Sequence, residues 1–394
     1  MKIPQSLTEF KKTQQDVSIF IGENGTGKST LLNIIARQFC FNSSVKVIGI
    51  ANSIHDKFEI QSNKFSVLRG RQGRKQAKIT IKKAITNISE RDIQRLKFAS
   101  RALEYVGLDP KIGFKVPKIK ENVIQMFHDD SYMLPASKYE EEIDTGFTMF
   151  EKNKEEIINI CEKIKRLERK NIEWLSFDEY NFEALEKFSL TELFVLETKL
   201  VKLGIIAPIE VFLSKNDKEI SLLSASSGEL NLITAIVYIS TVIEHNTVIL
   251  IDEPENSLHP RWQKEYVKNL LDIFYLYEPK IIIATHSPTI LNGALLDNEY
   301  LDIYRSDNFE LSLVREDSKN IEKIYYDIFN IITPENRFVS SLLTDYLNQL
   351  AEGIIDMQNF NVLLADIEKS IYDEKQNELI KGVNKIAERI IKAR

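Results

Sequence analysis

The sequence contains few of the residues that cross-link small proteins or build metal clusters. Only Cys40 and Cys161 are cysteines among its 394 residues. Two cysteines provide neither a disulfide framework nor a cysteine-ligated metal cluster, and this usage is typical of a reducing cytosol. We therefore exclude the disulfide-rich secreted class and expect a cytoplasmic protein.

Long hydrophobic runs are also absent. A membrane-spanning helix needs roughly 18–20 consecutive apolar residues. The nearest candidate, Leu232 to Ile243, is too short and contains threonines. The stretch from Met1 to Val17 has lysines, glutamines and a proline in place of the apolar core of a secretory signal. We expect a soluble protein with no membrane partner.

An excess of positive charge, which a nucleic-acid-binding protein often has, is missing as well. The formal net charge is -6, so contact with DNA or RNA would have to come from a local patch. The chain is 43% hydrophobic, and its length predicts two or three structural units, each with its own core.

The most informative stretch is a glycine-rich loop between a predicted strand, Val17 to Ile21, and a predicted helix, Ser29 to Phe39. Gly22 to Ser29, which we call the phosphate loop, matches a nucleotide-binding pattern in full. Glycines let backbone N–H groups surround a phosphate, a lysine adds positive charge, and a serine hydroxyl binds Mg²⁺. The candidate nucleotide-binding residues are Gly22, Glu23, Asn24, Gly25, Thr26, Gly27, Lys28, Ser29 and Thr30.

Two later apolar runs, Thr247 to Ile251 and Lys280 to Ala284, predict parallel strands that are covered on both faces. The first is followed by Asp252 and Glu253, and the second leads to His286. The first carboxylate after such a strand can hold Mg²⁺, and the second can polarise a water for attack on the γ-phosphate. A histidine at a strand end can contact that phosphate, although a lone histidine is more often structural.

These motifs occur in the order that ABC-type ATPases have, and the chain resembles that family. Two further motifs complete the set: Ser226 to Glu229 resembles the family's signature, and Asn256 to Pro260 resembles the loop that follows its carboxylates. The resemblance implies binding and hydrolysis of ATP with Mg²⁺, a phosphate-loop ATPase head and an ATP-dependent dimer.

The resemblance also implies a role for each motif residue. Lys28 and Ser29 would bind phosphates and metal, Asp252 would orient Mg²⁺, and Glu253 would be the general base. His286 would sense the γ-phosphate. The signature residues would contact the ATP that a second copy of the chain holds; they are Ser226, Ser227, Gly228 and Glu229.

The Ser-Leu-His-Pro version of the loop, Ser257 to Pro260, is similar to that of RecF, SMC and OLD-like ATPases. OLD nucleases carry a Toprim nuclease domain after the switch histidine, but here that part has a helical pattern and lacks the required carboxylate cluster. The layout resembles ATPases of anti-phage systems such as Septu PtuA or the PARIS ATPase. That resemblance implies a separately encoded effector, a nuclease or toxin, as partner of a homodimer or higher oligomer.

Three alternatives stay open. A RecF-like DNA-repair ATPase would bind DNA in an ATP-dependent way. A transporter nucleotide-binding subunit is disfavoured by the altered signature and the long insertion. An ATP-gated scaffold would assemble through the helical tail without useful turnover.

A basic segment, Phe65 to Lys83, contains no acidic residue and is a candidate surface for DNA or RNA. The alternative is a solvated loop or hairpin. Helices are predicted for Ser89 to Val106, for Glu151 to Trp174 with heptad spacing, and for Phe182 to Leu203. The candidate nucleic-acid contacts are Arg69, Arg71, Arg74, Lys75 and Lys78.

The predicted fold class is α/β. It consists of an ABC-type phosphate-loop ATPase head with a central, mostly parallel sheet, a helical insertion and a helical C-terminal tail. Four segments are predicted. Residues 1–64 contain the phosphate loop, and residues 65–205 form the insertion, with a basic segment followed by a helical arm. Residues 206–315 contain the signature, the carboxylates and the switch histidine, and residues 316–394 form the helical C-terminal domain.

Overall fold

The fold was analysed in a computed structural model. The structure describes residues 3–11, 16–53, 57–70, 73–87, 93–115, 117–119, 158–159, 161–162, 172–176, 189–202, 204–298, 301–314, 321–329, 337–368 and 374–393.

The described chain contains both strands and helices, and they alternate in parts of it. The strands are β1 (Asp16–Ile21), β2 (Val47–Ala51), β3 (Phe65–Arg69), β4 (Lys111–Lys115), β5 (Glu173–Ser176), β6 (Glu210–Lys215), β7 (Lys218–Ser221), β8 (Val248–Asp252), β9 (Lys280–Thr285), β10 (Leu301–Asp307) and β11 (Glu310–Val314). The helices are α1 (Gln5–Thr8), α2 (Lys28–Asn42), α3 (Gly73–Asn87), α4 (Ile93–Tyr105), α5 (Ser189–Lys202), α6 (Ser227–Val242), α7 (Pro260–Phe274), α8 (Pro288–Asp297), α9 (Ile321–Phe329), α10 (Arg337–Glu352), α11 (Met357–Glu368) and α12 (Glu374–Ala393).

The chain divides into two compact units. The first combines Met1–Val67 with His245–Arg394, and the second is Leu68–Glu244. The predicted division into four segments stays a prediction.

The first unit is built on a seven-stranded sheet in the order β11-β10-β1-β9-β8-β2-β3. Strand β1 pairs in parallel with β9 and β10, and β8 pairs in parallel with β2 and β9. Every residue of β1, β2, β8 and β9 is buried, as expected for parallel strands covered on both faces. The predicted mixed α/β fold with a mostly parallel central sheet is confirmed.

Helix α2 packs on this sheet and carries the core next to the phosphate loop. Leu31, Ile35 and Phe39 of α2 join Phe20 of β1 and Leu250 of β8 in one buried cluster. Burying each such side chain stabilises the fold by about 1.5–3 kcal/mol. The helix that follows the loop is therefore held firmly against the strand that precedes it.

A buried ion pair joins the first residues of β1 and β9. Asp16 and Lys280 are register partners, and Lys280 Nζ lies 2.8 Å from Asp16 Oδ1, with 0% and 4% of the two side chains exposed. Lys280 Nζ also donates to the Ser6 carbonyl at 2.8 Å. Burial lowers the pKa of Lys280, whereas the Asp16 carboxylate counteracts this effect. The pair fixes both the register of the two strands and the position of the chain before β1.

Helices α7 and α8 cross closely at Gly293. A Cβ on this glycine would lie 1.8 Å from the Lys264 carbonyl oxygen, so no larger residue fits there. Ser287 caps α8 by accepting from the Ile290 N–H and donates to Gln263 Oε1 of α7 at 2.7 Å. Backbone contact and a side-chain hydrogen bond thus hold the two helices together.

The end of the first unit is helical in its described part, as predicted. Helices α9 to α12 follow β11, and α10, α11 and α12 share a separate apolar cluster. Among its most buried members are Leu350 of α10, Phe360 of α11 and Ala387 of α12, each 0% exposed. This tail has a core of its own.

The second unit contains a four-stranded antiparallel sheet in the order β5-β4-β6-β7. Strands β6 and β7 form a hairpin, with Asn216 and Asp217 at positive φ in its turn. Strands β4 and β5 were not predicted. The predicted insertion is therefore not purely helical. Helix α6 packs against α3 and α4 in this unit.

Two sequence predictions for the second unit are wrong in part. The helix predicted to end at Trp174 does not extend that far, because Glu173–Ser176 is a strand paired with β4. The basic segment is neither loop nor hairpin over most of its length, because Gly73–Asn87 forms helix α3. Most of the heptad positions, Ile157 to Asn171, lie outside the described residues.

None of the helices described here has both the length and the apolar character needed to cross a membrane.

Replacing Lys280 with Met should destabilise the first unit. The Asp16 carboxylate would then stay buried without its cation, and breaking a buried pair from one side costs about 3–5 kcal/mol. The double variant Asp16→Asn with Lys280→Met removes both charges and should recover at least half of that loss. Urea denaturation of both variants measures the difference, and an equal loss in the two would contradict this account.

Candidate functional site

The phosphate loop lies between the end of β1 and the start of α2. Gly25 and Gly27 have φ values of 85° and 95°, in the left-handed region where a side chain is strained. Gly27 is the N-cap of α2, so the free N–H groups of the first helical turn face the loop. A helix N-terminus in this setting favours an anion. The predicted strand, loop and helix are all present.

The Lys28 ammonium lies inside the loop. Its Nζ donates to the carbonyl oxygens of Gly22 and Glu23, each at 2.8 Å. Burial lowers the pKa of Lys28, although the nearby carboxylates of Glu253, Glu255 and Asp252 work in the opposite direction. The lysine is thus a largely buried cation that the loop's own carbonyl groups hold in place.

Ser29 and Asp252 meet across the end of the sheet. Ser29 Oγ donates to Asp252 Oδ1 at 3.0 Å, although 223 residues separate them. Asp252 is 1% exposed, and burial raises its pKa to about 6; the hydrogen bond from Ser29 opposes this shift, whereas the charge of Glu253 adds to it. The second oxygen, Oδ2, is buried and has no hydrogen-bond partner.

These oxygens fit a magnesium ion. Mg²⁺ prefers hard oxygen ligands and is usually held by one or two carboxylates together with substrate phosphates. A hydroxyl, a carboxylate and an unsatisfied carboxylate oxygen beside a phosphate loop form such a set. Among the described residues, no cluster of three or more His, Cys, Asp or Glu side chains is arranged for a metal.

Glu253 directly follows β8 in a strained conformation. Its φ is 50°, which is uncommon for a residue with a Cβ and is found preferentially at functional sites. The Glu253 N–H donates to the Ala284 carbonyl at 2.9 Å, and the Asn256 side-chain amide donates to Glu253 Oε2 at 3.0 Å. The carboxylate is therefore oriented by the loop that follows it, and its residue is half-buried.

Glu255 positions His286, and the sequence analysis missed it. The Glu255 side chain is 5% exposed, and its Oε1 accepts from the His286 N–H at 2.7 Å. The same oxygen lies 3.0 Å from His286 Nδ1. This carboxylate raises the pKa of His286, while partial burial opposes the rise. Burial alone would raise the pKa of Glu255, but the interactions with His286 hold it below its usual range.

The sequence does contain a signal for Glu255: an acidic residue two positions after Glu253, within the run Asp-Glu-Pro-Glu. That position alone does not reveal its partner, because His286 directly follows β9, the neighbour of β8 in the sheet.

Lys28, Ser29, Asp252, Glu253 and His286 therefore lie at the carboxyl ends of three adjacent strands, β1, β9 and β8. This is the edge where parallel α/β sheets bind ligands. A glycine-rich loop with a buried lysine, facing a serine–aspartate pair and a strained glutamate, defines a phosphate-loop nucleotide site. The individual catalytic roles stay predictions.

The signature-like residues belong to the second unit. Ser226 is the N-cap of α6 and forms a capping box, in which its hydroxyl accepts from the Glu229 N–H at 3.2 Å and its own backbone N–H donates to Glu229 Oε2 at 2.9 Å. Ser226 and Ser227 are exposed and Gly228 is buried. Capping alone accounts for Ser226 and Glu229, so contact with a second copy's ATP stays a prediction.

Part of the basic segment is neutralised within the second unit. Lys78 Nζ lies 3.4 Å from Glu197 Oε1, and Lys82 pairs with the other oxygen of Glu197. Burial lowers the pKa of Lys82 to about 8, against the opposing effect of Glu197. Lys75 is exposed, and the side chains of Arg71 and Arg74 lie outside the described residues. Nucleic-acid binding here stays a prediction.

Comparison with known proteins agrees with a nucleotide site. A family model described as "AAA domain, putative AbiEii toxin, Type IV TA system" matches residues 149–292. This stretch is less than half of the chain; it contains Asp252, Glu253 and His286 but not the phosphate loop.

The chain is 22% identical over 409 residues to the "Retron Vc95 probable ATPase" of Vibrio cholerae serotype O1 biovar El Tor, covering 85% of this chain and 78% of that protein. It is 32% identical over 106 residues to the "Retron Ec83 probable ATPase" of Escherichia coli, covering 24% of this chain and 19% of that protein. The chain is thus similar to AAA-type probable ATPases. A closer relationship to the Septu or PARIS ATPases stays a prediction.

Among solved structures, the chain is similar to CbiO1 from Clostridium perfringens, titled as part of the ABC transporter complex cbiONQ. The sequence identity is 16%, the TM-score is 0.26, and the similarity covers 79% of this chain and 80% of that one. A score this low carries no argument about function.

Replacing Glu255 with Gln should lower the pKa of His286. The amide oxygen can still accept from the backbone N–H, but the negative charge that stabilises the imidazolium is lost. The Glu255 carboxylate raises the pKa of His286 in the folded protein above the ordinary value of about 6.5. The pair therefore stabilises the fold fully at pH values below about 6.5, and this stabilisation is lost as the pH rises through the folded-state pKa of His286. NMR titration of labelled histidines measures the shift, and an unchanged His286 pKa would contradict the pairing.

Proposed function

We propose that this chain is an Mg²⁺-dependent ATPase that dimerises on ATP and controls a separately encoded effector, a nuclease or toxin, in anti-phage defence. The observation that carries the ATPase proposal is the 3.0 Å contact between Ser29 Oγ and Asp252 Oδ1 beside the buried Lys28. This contact joins the phosphate loop to the carboxylate expected to orient the metal.

Binding would rest on the phosphate loop. Backbone N–H groups at the start of α2 and the Lys28 ammonium supply positive potential for the phosphates. Ser29 and Asp252 would hold Mg²⁺, which neutralises phosphate charge when bound. Removing Lys28 should therefore abolish tight nucleotide binding.

Water activation is assigned to Glu253. Its carboxylate is held by Asn256 at 3.0 Å and lies next to Asp252 at the same edge of the sheet. A carboxylate in this position can accept a proton from the attacking water. His286, kept charged to higher pH by Glu255, would donate a hydrogen bond to the γ-phosphate.

Replacing Glu253 with Gln should leave ATP binding intact and slow hydrolysis at least about 100-fold, the lower range for loss of a general base. Phosphate release and equilibrium ATP binding of the purified chain, with and without Mg²⁺, provide the test. Glu352→Gln, at an exposed position at the end of α10, is the matched control and should behave like the wild type.

Hydrolysis by Glu253→Gln at the wild-type rate would refute the role of Glu253. Tight ATP binding by Lys28→Ala would refute the assignment of the loop.

Dimerisation and effector control have separate support. The Ser226 side chain is exposed at the N-terminus of α6, where a second copy's ATP would bind as an anion beside the capping box. The matched family's description names a toxin of a toxin–antitoxin system, and the two relatives take their names from retrons. These descriptions favour a defence ATPase over a transporter subunit.

Ser226 allows a sharp test, because two substitutions preserve its cap. Asn and Asp cap helices about equally well, but only Asp places a negative charge at the helix end. In a Glu253→Gln background with ATP, Ser226→Asn should still double the mass from 45.6 kDa, whereas Ser226→Asp should remain monomeric. When the chain is expressed from its native locus without the Glu253 change, plating of phage should be suppressed with Ser226→Asn and restored with Ser226→Asp.

Equal dimerisation of the two Ser226 variants would refute the contact with ATP on a second copy. Unchanged phage plating when the wild-type locus is present would refute the role in defence.

A RecF-like DNA-repair ATPase remains the second candidate. The basic segment gives it limited support, because Lys78 and Lys82 already share Glu197.

A further inference from the structure

The turn between β10 and β11 lies against the phosphate loop. The Phe309 N–H donates to the Thr26 carbonyl at 3.1 Å, and Ser306 Oγ donates to the same oxygen at 3.0 Å. Two hydrogen bonds therefore tie this turn to a residue of the phosphate loop, although 280 positions separate Thr26 from Ser306.

Phe309 is an unusual residue for this turn. Asn308 and Phe309 have φ values of 45° and 64°, so both central residues are in the left-handed region. Two-residue hairpin turns of this kind favour Asn followed by Gly, since glycine adopts positive φ without strain. Asn308 fits the pattern, but a bulky aromatic at the next position does not. Strained residues of this sort cluster at ligand-binding and active sites.

The ring of Phe309 rests on Gly27. A Cβ on Gly27 would lie 2.4 Å from Phe309 Cδ1, so the ring occupies the space beside the glycine. Even so, 49% of the residue is exposed. Apolar burial therefore accounts for only part of the ring, and the remaining surface is open beside the phosphate loop.

The strand order indicates which part of a nucleotide this ring would meet. Strand β1 lies between β9 and β10. Asp252, Glu253 and His286 follow β8 and β9 on one side of β1, and they mark the end for the metal and γ-phosphate. Phe309 follows β10 on the other side. A nucleotide whose terminal phosphate faces Asp252 would direct its sugar and base toward the β10 side.

We propose that the Phe309 ring is the stacking surface for the purine base of the nucleotide held by the phosphate loop. This inference rests on the proposed nucleotide binding and adds to it the residue that contacts the base. Stacking on an aromatic ring is tolerant of base identity, because every base has a π-face. ATP and GTP should therefore bind with similar affinity.

The test compares a nucleotide with a ligand that lacks the base. Phe309→Gly removes the ring and suits the positive φ, and it leaves the N–H bound to Thr26. The slowly hydrolysed analogue ATPγS should bind roughly 10- to 100-fold more weakly to this variant, from the usual range for one stacked base. Inorganic tripolyphosphate should bind unchanged. Titration calorimetry of the full chain with Mg²⁺ measures both affinities.

Three controls separate stacking from a structural role. Phe309→Tyr keeps the ring and should restore ATPγS affinity. Leu313→Ala, at an exposed apolar position on the same hairpin, should not change it. Thermal unfolding of Phe309→Gly should show one cooperative transition, and together with an unchanged tripolyphosphate affinity it separates loss of stacking from loss of the fold.

Unchanged ATPγS affinity in Phe309→Gly, or an equal loss for ATPγS and tripolyphosphate, would overturn the stacking role. In both cases the wild type would still bind ATPγS, and the proposed nucleotide site would survive. If the wild type bound neither ligand, the proposed function would fail together with this inference.

Discussion

The site depends on the register between β1 and β9, and a buried ion pair at the opposite end of these strands helps to fix that register. Asp16 and Lys280 are partners at the start, and Ile21 and Thr285 are partners at the finish. A slip of one residue would shift one strand by about 3.3 Å and turn its side chains to the other face. Such a slip would bury the wrong residues and separate the phosphate loop from His286. The ion pair between Asp16 and Lys280 thus helps to align the opposite ends of β1 and β9, which are followed by the phosphate loop and His286.

Much of the central sheet was predictable from the sequence, because its strands are continuous apolar runs that end in recognisable polar motifs. The strands β1, β8 and β9, the helix after the phosphate loop and the helical tail all followed from local patterns. Local sequence patterns did not predict strands whose pairing partners are far away in the sequence. Strand β5 pairs with β4 across some sixty residues, as Gly113 and Trp174 illustrate, and neither strand stands out by itself. Helix α3 was missed because its basic, glycine-flanked sequence also fits a solvated loop.

Some residues of the candidate site were likewise predictable from the sequence, and others became apparent only in the structure. Lys28, Ser29, Asp252, Glu253 and His286 were found because each belongs to a short motif with a known chemical purpose. Glu255 and Phe309 were not found, because their importance lies in contacts through space. One is a carboxylate whose partner follows a neighbouring strand, and the other is an aromatic side chain brought onto a glycine by a hairpin. Motifs locate the candidate site residues, and only the fold identifies the residues that contact them.

The close crossing of α7 and α8 at Gly293 has a mechanical consequence. Helix α7 follows the loop that leaves the carboxylates, and α8 begins two residues after His286. With the Lys264 carbonyl against Gly293 and Ser287 bonded to Gln263, neither helix can tilt or slide without the other. We therefore expect the two helices to move as one body. A movement of His286 that shifted this pair would then reach the C-terminus of α7, which is followed by the exposed side chains of Tyr275 and Leu276.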